Sequence, residues 1–456
     1  MRPIRIVNGR IITPYRVLSN ATLLLAGGRI AAISEGGEPA RNGAADIPDS
    51  ADTPDSADTP GIPDSADTLV IDAAGRYVSP GFIDLHVHGG GGHDFMDGTD
   101  EAFLGIAKLH ARHGTTAMTP TTLSAGKAEL LTTLETYERL AGLQSRAASQ
   151  SLAASQSRAA SQAPEGPGLR ATPNAAGAQF IGMHLEGPYF AMAQRGAQDP
   201  RYVRNPDPAE YRELTTRFPG IRRWSVAPEL PGALEMADWL KGRGILAAWA
   251  HTDALCEDIQ KAFERGYTHA THLYSAMLGV TRIGTTRYAG AIEAAFLMDE
   301  MTVEIIADGV HLPPALLQLV CKIKGPGRIA LITDAMRGAG MPPGESILGG
   351  KNSGQPVIIE DGVAKLPDRS AFAGSVATAD RLVRNMIRLA GVPVSDAVRM
   401  MTSTPAAIMG VGDRKGSILA GKDADILIFD EDINIDHTII GGEIVYTKER
   451  EQHAKR

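Results

Sequence analysis

Residues 81–88 read GFIDLHVH, a short apolar run that closes on two histidines, His86 and His88. Successive strand side chains leave opposite faces, so two histidines two apart leave the same one. Seven further runs have the same character: TTAMTPTT (115–122), QFIGMHLEG (179–187), RRWSVAPE (222–229), GILAAWAHT (244–252), THATHLY (268–274), VEIIADGVH (303–311) and RIALITDAM (328–336). Helical patterns separate them, which signals βα units and a parallel sheet. Eight such units predict an α/β fold, a (β/α)8 TIM barrel over residues 79–405. A doubly wound sheet is the alternative, but GGGGHDF after the first run lacks the context of a dinucleotide fingerprint.

Polar residues gather at the C-terminal ends of these runs. His86 and His88 close the first, Glu186 the third, His251 the fifth, His272 the sixth, Asp308 and His311 the seventh, Asp334 the eighth. A barrel brings those ends to one mouth, the face where such folds carry their active sites. Imidazoles and carboxylates suit zinc or a similar divalent ion. His86, His88, Glu186, His251, His272 and Asp334 offer donors for one or two ions, and Asp334 is also a candidate base for activating water. One strand-end histidine is ordinarily a structural residue; six polar residues at one mouth are not.

Outside the barrel, both ends of the chain are strand-like and turn-rich. IRIVNGRIITP and ATLLLAGGRIAAIS open it, and GSILAGKDADILIFD and TIIGGEIVYT lie near its end. They predict a small β-sandwich domain built from residues 1–78 and 406–456. Residues 47–68 repeat PDSADT, and 144–162 alternate SRAASQ with SLAASQ. Neither carries enough apolar surface to offset its ordering entropy, so 47–68 and 144–175 are expected to be disordered insertions.

Composition excludes several function classes. The chain has 456 residues, 43% hydrophobic, with a net charge of −8. It has no basic stripe for nucleic acid and no run of about 18 apolar residues for a membrane span. Cys256 and Cys321 are too few for a disulfide framework and are expected to be buried thiols. The opening MRPIRIVNGRIITP lacks the apolar core of a signal peptide. The expectation is a cytoplasmic protein.

The stretches SPGFIDLHVHG (79–89), GMHLEGPYF (182–190), AHTDA (250–254), THLYSAM (271–277), ADGVHLPP (307–314), LITDAM (331–336), AGS (373–375) and GKDADILIFD (421–430) resemble the amidohydrolase superfamily. Within it they resemble the N-acetylglucosamine-6-phosphate deacetylases. The resemblance implies that Glu186, His251 and His272 hold a principal metal. His86 and His88 would bind a second, with Glu186 bridging. It implies Asp334 as catalytic acid/base and His311 as a contact to the sugar or its acyl group. It further implies a divalent metal, zinc first with iron or manganese possible, and a homodimer acting on a small amino-sugar substrate.

Two departures bear on the substrate. The family motif THLYNAM reads THLYSAM here, with Ser275 for asparagine and Ala276 retained; the GREPG loop that follows in the family is replaced by LGVTRIGTTRYAG. Arg282 and Arg287 are then the candidates for a sugar phosphate, and Gln198 is a candidate donor to the acetyl oxygen or the phosphate. An unphosphorylated N-acetyl amino sugar stays open as substrate. An amidohydrolase of cyclic amides or dipeptides and a catalytically silent scaffold are the rival readings. His110 and His113 are expected on a helix surface. His269, three before His272, is expected to face away from the mouth against a helix.

Overall fold

The computed structural model describes residues 1–35, 67–158 and 177–448. Parallel strands follow one another through its middle: Phe82–Val87, Thr115–Pro120, Met183–Glu186, Ile221–Val226, Leu246–Trp249, Tyr267–Ala270, Thr302–Ile305 and Ile329–Leu331. Each is followed by a helix, from Asp100–Arg112 after the first to Ala379–Ala390 after the eighth. The first two strands pair in parallel, and the last six form one parallel ladder. Isolated parallel bridges join the remaining edges, Thr121 to His184 and Val87 to Ala335. The parallel sheet is thus curled, in the manner of a TIM-like domain.

Local chemistry sets the element ends. The first barrel helix starts at Thr99, whose side chain accepts the N–H of Ala102, and carries Asp100 and Glu101 in its first turn. A cap of that kind contributes about 1 kcal/mol. Residues 144–158 continue the helix Lys127–Arg158, where the sequence reading expects disorder. Alanine is the best helix former, and an Ala-rich repeat joined to a formed helix needs no new nucleus. The rest of that stretch, 159–175, and nearly all of 47–68 lie outside the described residues.

Strands from both ends of the chain share one eight-stranded sheet. Tyr77–Pro80 is its meeting point. It pairs in parallel with Ile4–Ile12 and antiparallel with Ile426–Phe429. Ile6, Leu23, Val78, Ile426 and Ile439 build a core there, separate from that of the barrel. Among the described residues no helix is long and apolar enough to cross a membrane.

Two small elements rise beside the barrel mouth. A four-stranded antiparallel sheet, Gly344–Leu348, Gln355–Glu360, Val363–Lys365 and Phe372–Ser375, is inserted after the eighth barrel strand. A hairpin, Thr281–Ile283 with Thr286–Tyr288, follows the sixth.

Candidate metal and active site

Glu186, at the end of the third barrel strand, is the centre of the mouth. Its Oε1 lies 2.9 Å from His272 Nε2, 3.3 Å from His251 Nε2 and 3.5 Å from His86 Nε2. Its Oε2 lies 3.3 Å from His88 Nε2. Asp334 Oδ1 faces the first pair of histidines, 3.2 Å from His88 Nε2 and 3.6 Å from His86 Nε2. Two groups result, each with ligand atoms close enough to share an ion: His86, His88 and Asp334, and Glu186, His251 and His272. All six are buried.

The donor chemistry fits a cation. His251 Nδ1 is 2.8 Å from the Gln194 carbonyl oxygen, which can only accept, so Nδ1 carries the proton. In the neutral ring the Nε2 lone pair then faces Glu186 Oε1, acceptor against acceptor. The Nε2 atoms of His86 and His88 lie 3.1 Å apart. A positive charge among these atoms relieves both conflicts. The pKa directions agree. Burial opposes charging, but the Glu186 and Asp334 carboxylates outweigh it and raise His86 to about 9 and His88 to about 10. Burial likewise opposes ionisation of Glu186 and Asp334, yet the facing histidines hold both carboxyls below their ordinary range. The cluster demands positive charge, as protons or as metal.

Backbone strain marks the same residues. His251, His272 and Asp334 take φ values of 48°, 31° and 48°, in the left-handed region that costs a non-glycine residue about 1–3 kcal/mol. All three sit just beyond the end of a barrel strand, where the chain turns sharply to aim the side chain inward.

A cavity of about 340 Å³ opens above the cluster. His88, Glu186, His251, His272 and Asp334 form part of its wall, with Ser275, Ala276, Gln198 and His311. His311 donates its backbone N–H to Asp308, and its Nδ1 lies 2.8 Å from the second Asp308 oxygen, which leaves Nε2 for the cavity. Phe372 packs against the His311 ring, tilted at 47° to it with centroids 4.6 Å apart. Gln198 donates to Glu186 Oε2 at 2.9 Å and accepts the Ser124 backbone N–H at 2.8 Å. Its side chain therefore holds the central carboxylate, beside any contact to substrate.

Arg282 and Arg287 are not brought to this cavity. They lie exposed and opposite each other on the hairpin after the sixth strand. Other expectations are corrected. His269 does not face outward: its Nε2 lies 3.2 Å from Glu304 Oε1 inside the barrel. The strand ends at Ala270, and the turn at His272 breaks the alternation. His110 is buried, not on the surface, with Nε2 3.0 Å from the Gly89 carbonyl oxygen. His113 is half-buried and faces Asp380 at 3.2 Å. Cys256 and Cys321 are free thiols, but only half-buried.

Leu348, Tyr274, Gln194 and Phe372 also line the cavity and were not legible as site residues. Phe372 directly precedes AGS at 373–375, which was the available signal.

Residues 77–445 match the amidohydrolase family. The N-acetylglucosamine-6-phosphate deacetylase of Lysinibacillus sphaericus is 30% identical over 82% of this chain and 87% of its own length. The N-acetylgalactosamine-6-phosphate deacetylase of Escherichia coli O157:H7 is 31% identical over 82% of this chain and 89% of its own. Among solved structures, a mutant N-acetyl-D-glucosamine-6-phosphate deacetylase from Mycobacterium smegmatis, in complex with N-acetyl-D-glucosamine-6-phosphate, is 28% identical. It superposes with a TM-score of 0.77 over 98% of this chain and 100% of that one.

Proposed function

The chain belongs to the amidohydrolase family, and from that premise we propose that it hydrolyses the acetamide of N-acetylglucosamine 6-phosphate to glucosamine 6-phosphate and acetate. One observation carries the reading: four imidazoles and Asp334 converge on Glu186 at the floor of a cavity large enough for a sugar phosphate. The relatives with this activity match over more than four-fifths of the chain.

Glu186, His251 and His272 would hold one divalent ion, and His86, His88 and Asp334 fit a second. Zinc suits these nitrogen and oxygen donors, and iron or manganese is compatible. When bound, such an ion supplies Lewis acidity toward the amide carbonyl and lowers the pKa of water toward about 7. The residues do the rest. Asp334, ionised among the histidines, accepts the proton of the attacking water and delivers it to the departing amine. His311, fixed by Asp308, presents Nε2 to the sugar or its acyl group. Ser275 and Ala276 form the wall beside it.

The phosphate contact is read as intermolecular. Arg282 and Arg287 project on an exposed hairpin, which suits a homodimer in which each hairpin reaches the partner's cavity. In the same reading, residues 1–78 and 406–456 form the β-domain, of sandwich type, and 79–405 the catalytic barrel. The separate apolar core around Val78 and Ile426 supports that division. Two free thiols fit a reducing cytoplasm.

The test is kcat/KM for acetate release from four substrates: N-acetylglucosamine 6-phosphate, its galacto epimer, unphosphorylated N-acetylglucosamine and an N-acetyl amino acid. The first is expected to lead. A higher value for the galacto epimer would move the assignment to the activity of the E. coli relative. No release from any amino sugar sinks the reading.

A further inference from the structure

We infer that Glu304 is a positioning residue for His86: its carboxylate accepts the hydrogen bond of Nδ1–H, keeps the proton on that nitrogen and so turns Nε2 toward His88 and Asp334. The inference rests on the reading of the mouth as a metal centre.

Glu304 lies within the seventh barrel strand with no exposed surface. Its Oε2 is 3.5 Å from His86 Nδ1, slightly beyond a relaxed hydrogen bond. That nitrogen is buried and otherwise lacks a hydrogen-bond partner. Glu186 and Asp334 face the same ring through Nε2, not Nδ1. Among the described residues, Glu304 is therefore the carboxylate placed to accept a hydrogen bond from Nδ1–H. A metal-ligating histidine commonly donates its second N–H to such a group, which sets its tautomer and aim.

A lone buried carboxylate shifts toward its neutral form; this one has company. Arg223 grips it with both terminal nitrogens, Nη1 to Oε1 and Nη2 to Oε2, the latter at 2.8 Å. Arg223 Nη1 also donates to the Leu85 carbonyl oxygen at 3.0 Å, one residue before His86, and Nη2 to Thr271 Oγ1 at 2.9 Å. The pair thus ties the strand that carries His86 to the strand that carries its acceptor. Buried ion pairs give little net stability over apolar packing, so stability alone does not account for one directly beneath the mouth.

Removing Glu304 alone leaves Arg223 buried and unpaired, which can prevent folding. The test therefore compares two double variants, Arg223→Met with Glu304→Gln and Arg223→Met with Glu304→Leu. Both lose the buried charges, and only the glutamine keeps an oxygen facing His86. Ion stoichiometry and affinity are read by chelator competition with zinc, and a His86→Gln chain marks which ion belongs to the His86–His88 pair. The leucine variant is expected to bind that ion about 10- to 100-fold more weakly, with the glutamine variant near wild type. Equal affinities in the two variants overturn the inference alone; a wild-type chain that takes up no divalent ion overturns the metal reading with it. If neither variant folds, the ring is read in the wild-type chain by long-range ¹H–¹⁵N NMR of labelled histidine, His86 being assigned from the His86→Gln spectrum. A proton on Nδ1 is expected, and a proton on Nε2 overturns the role.

Discussion

Gln198 holds the central carboxylate: its side-chain N–H donates to Glu186 Oε2 at 2.9 Å while its carbonyl accepts the Ser124 N–H. The loop over the cavity and the carboxylate at the centre of the cluster are thereby one unit. Gln198→Leu should weaken metal binding at the Glu186 group and lower kcat, each by about 10- to 100-fold, the usual effect of losing a partner of a ligand. Chelator competition and kinetics in excess zinc separate this from direct recognition. A variant with full metal affinity and a raised KM alone would assign Gln198 to the substrate instead.

Asp334 stands 3.2 Å from His88 Nε2 and lines the cavity, so it can serve both the centre and the proton transfers. Asp334→Asn keeps the shape and removes the basic oxygen. A fall in kcat of about 10²- to 10⁴-fold is expected, with the circular dichroism spectrum unchanged. Full turnover in this variant would take the base elsewhere.

Much of this centre was legible because strand geometry is simple. His86 and His88 share a face by period-two alternation, and Glu186, His251, His272 and Asp334 stand at the ends of apolar runs. The failures share a cause: they depend on where regular structure stops or what it packs against. His269 was misplaced because the strand ends before His272. His110 sits in a helical pattern, and nothing in that pattern tells of the Gly89 carbonyl waiting beside it. Glu304 was the missed signal. A carboxylate two residues before Ile306 and four before Asp308 shares the inward face of a buried strand, where it needs a partner. Arg223, 81 positions away, supplies it.

His110 gives a pH signature in stability. Burial lowers its pKa from 6.5 to about 4. The folded chain therefore holds the ring neutral, while the unfolded chain takes up a proton between those values. The contribution is complete above pH 6.5 and is lost as pH falls toward 4, by up to ~3 kcal/mol. Asp84 acts with the opposite sign, since burial raises its carboxyl to about 7 and the folded chain keeps that proton. The difference between wild type and His110→Gln isolates the histidine. On going from pH 8 to pH 5 the urea midpoint of the wild type should fall relative to that of the variant, and identical changes in the two would refute the assignment.

The arginine hairpin offers the sharpest test of the substrate. Arg282 and Arg287 are cross-strand partners, exposed, and directly opposed like charges destabilise a hairpin. An anion received between them would reverse that penalty. Replacing both with alanine should raise KM for N-acetylglucosamine 6-phosphate about 10- to 100-fold, the range for lost charge-assisted hydrogen bonds, and leave kcat/KM for the unphosphorylated sugar unchanged. Mixing then asks whose cavity the hairpin serves. A chain without the arginines but with Asp334, paired with an Asp334→Asn chain that keeps them, forms one complete site if the hairpin crosses to its partner. Such mixtures should regain a wild-type KM at reduced kcat. If they show only the weak binding of the arginine-free chain, the phosphate is not held across an interface.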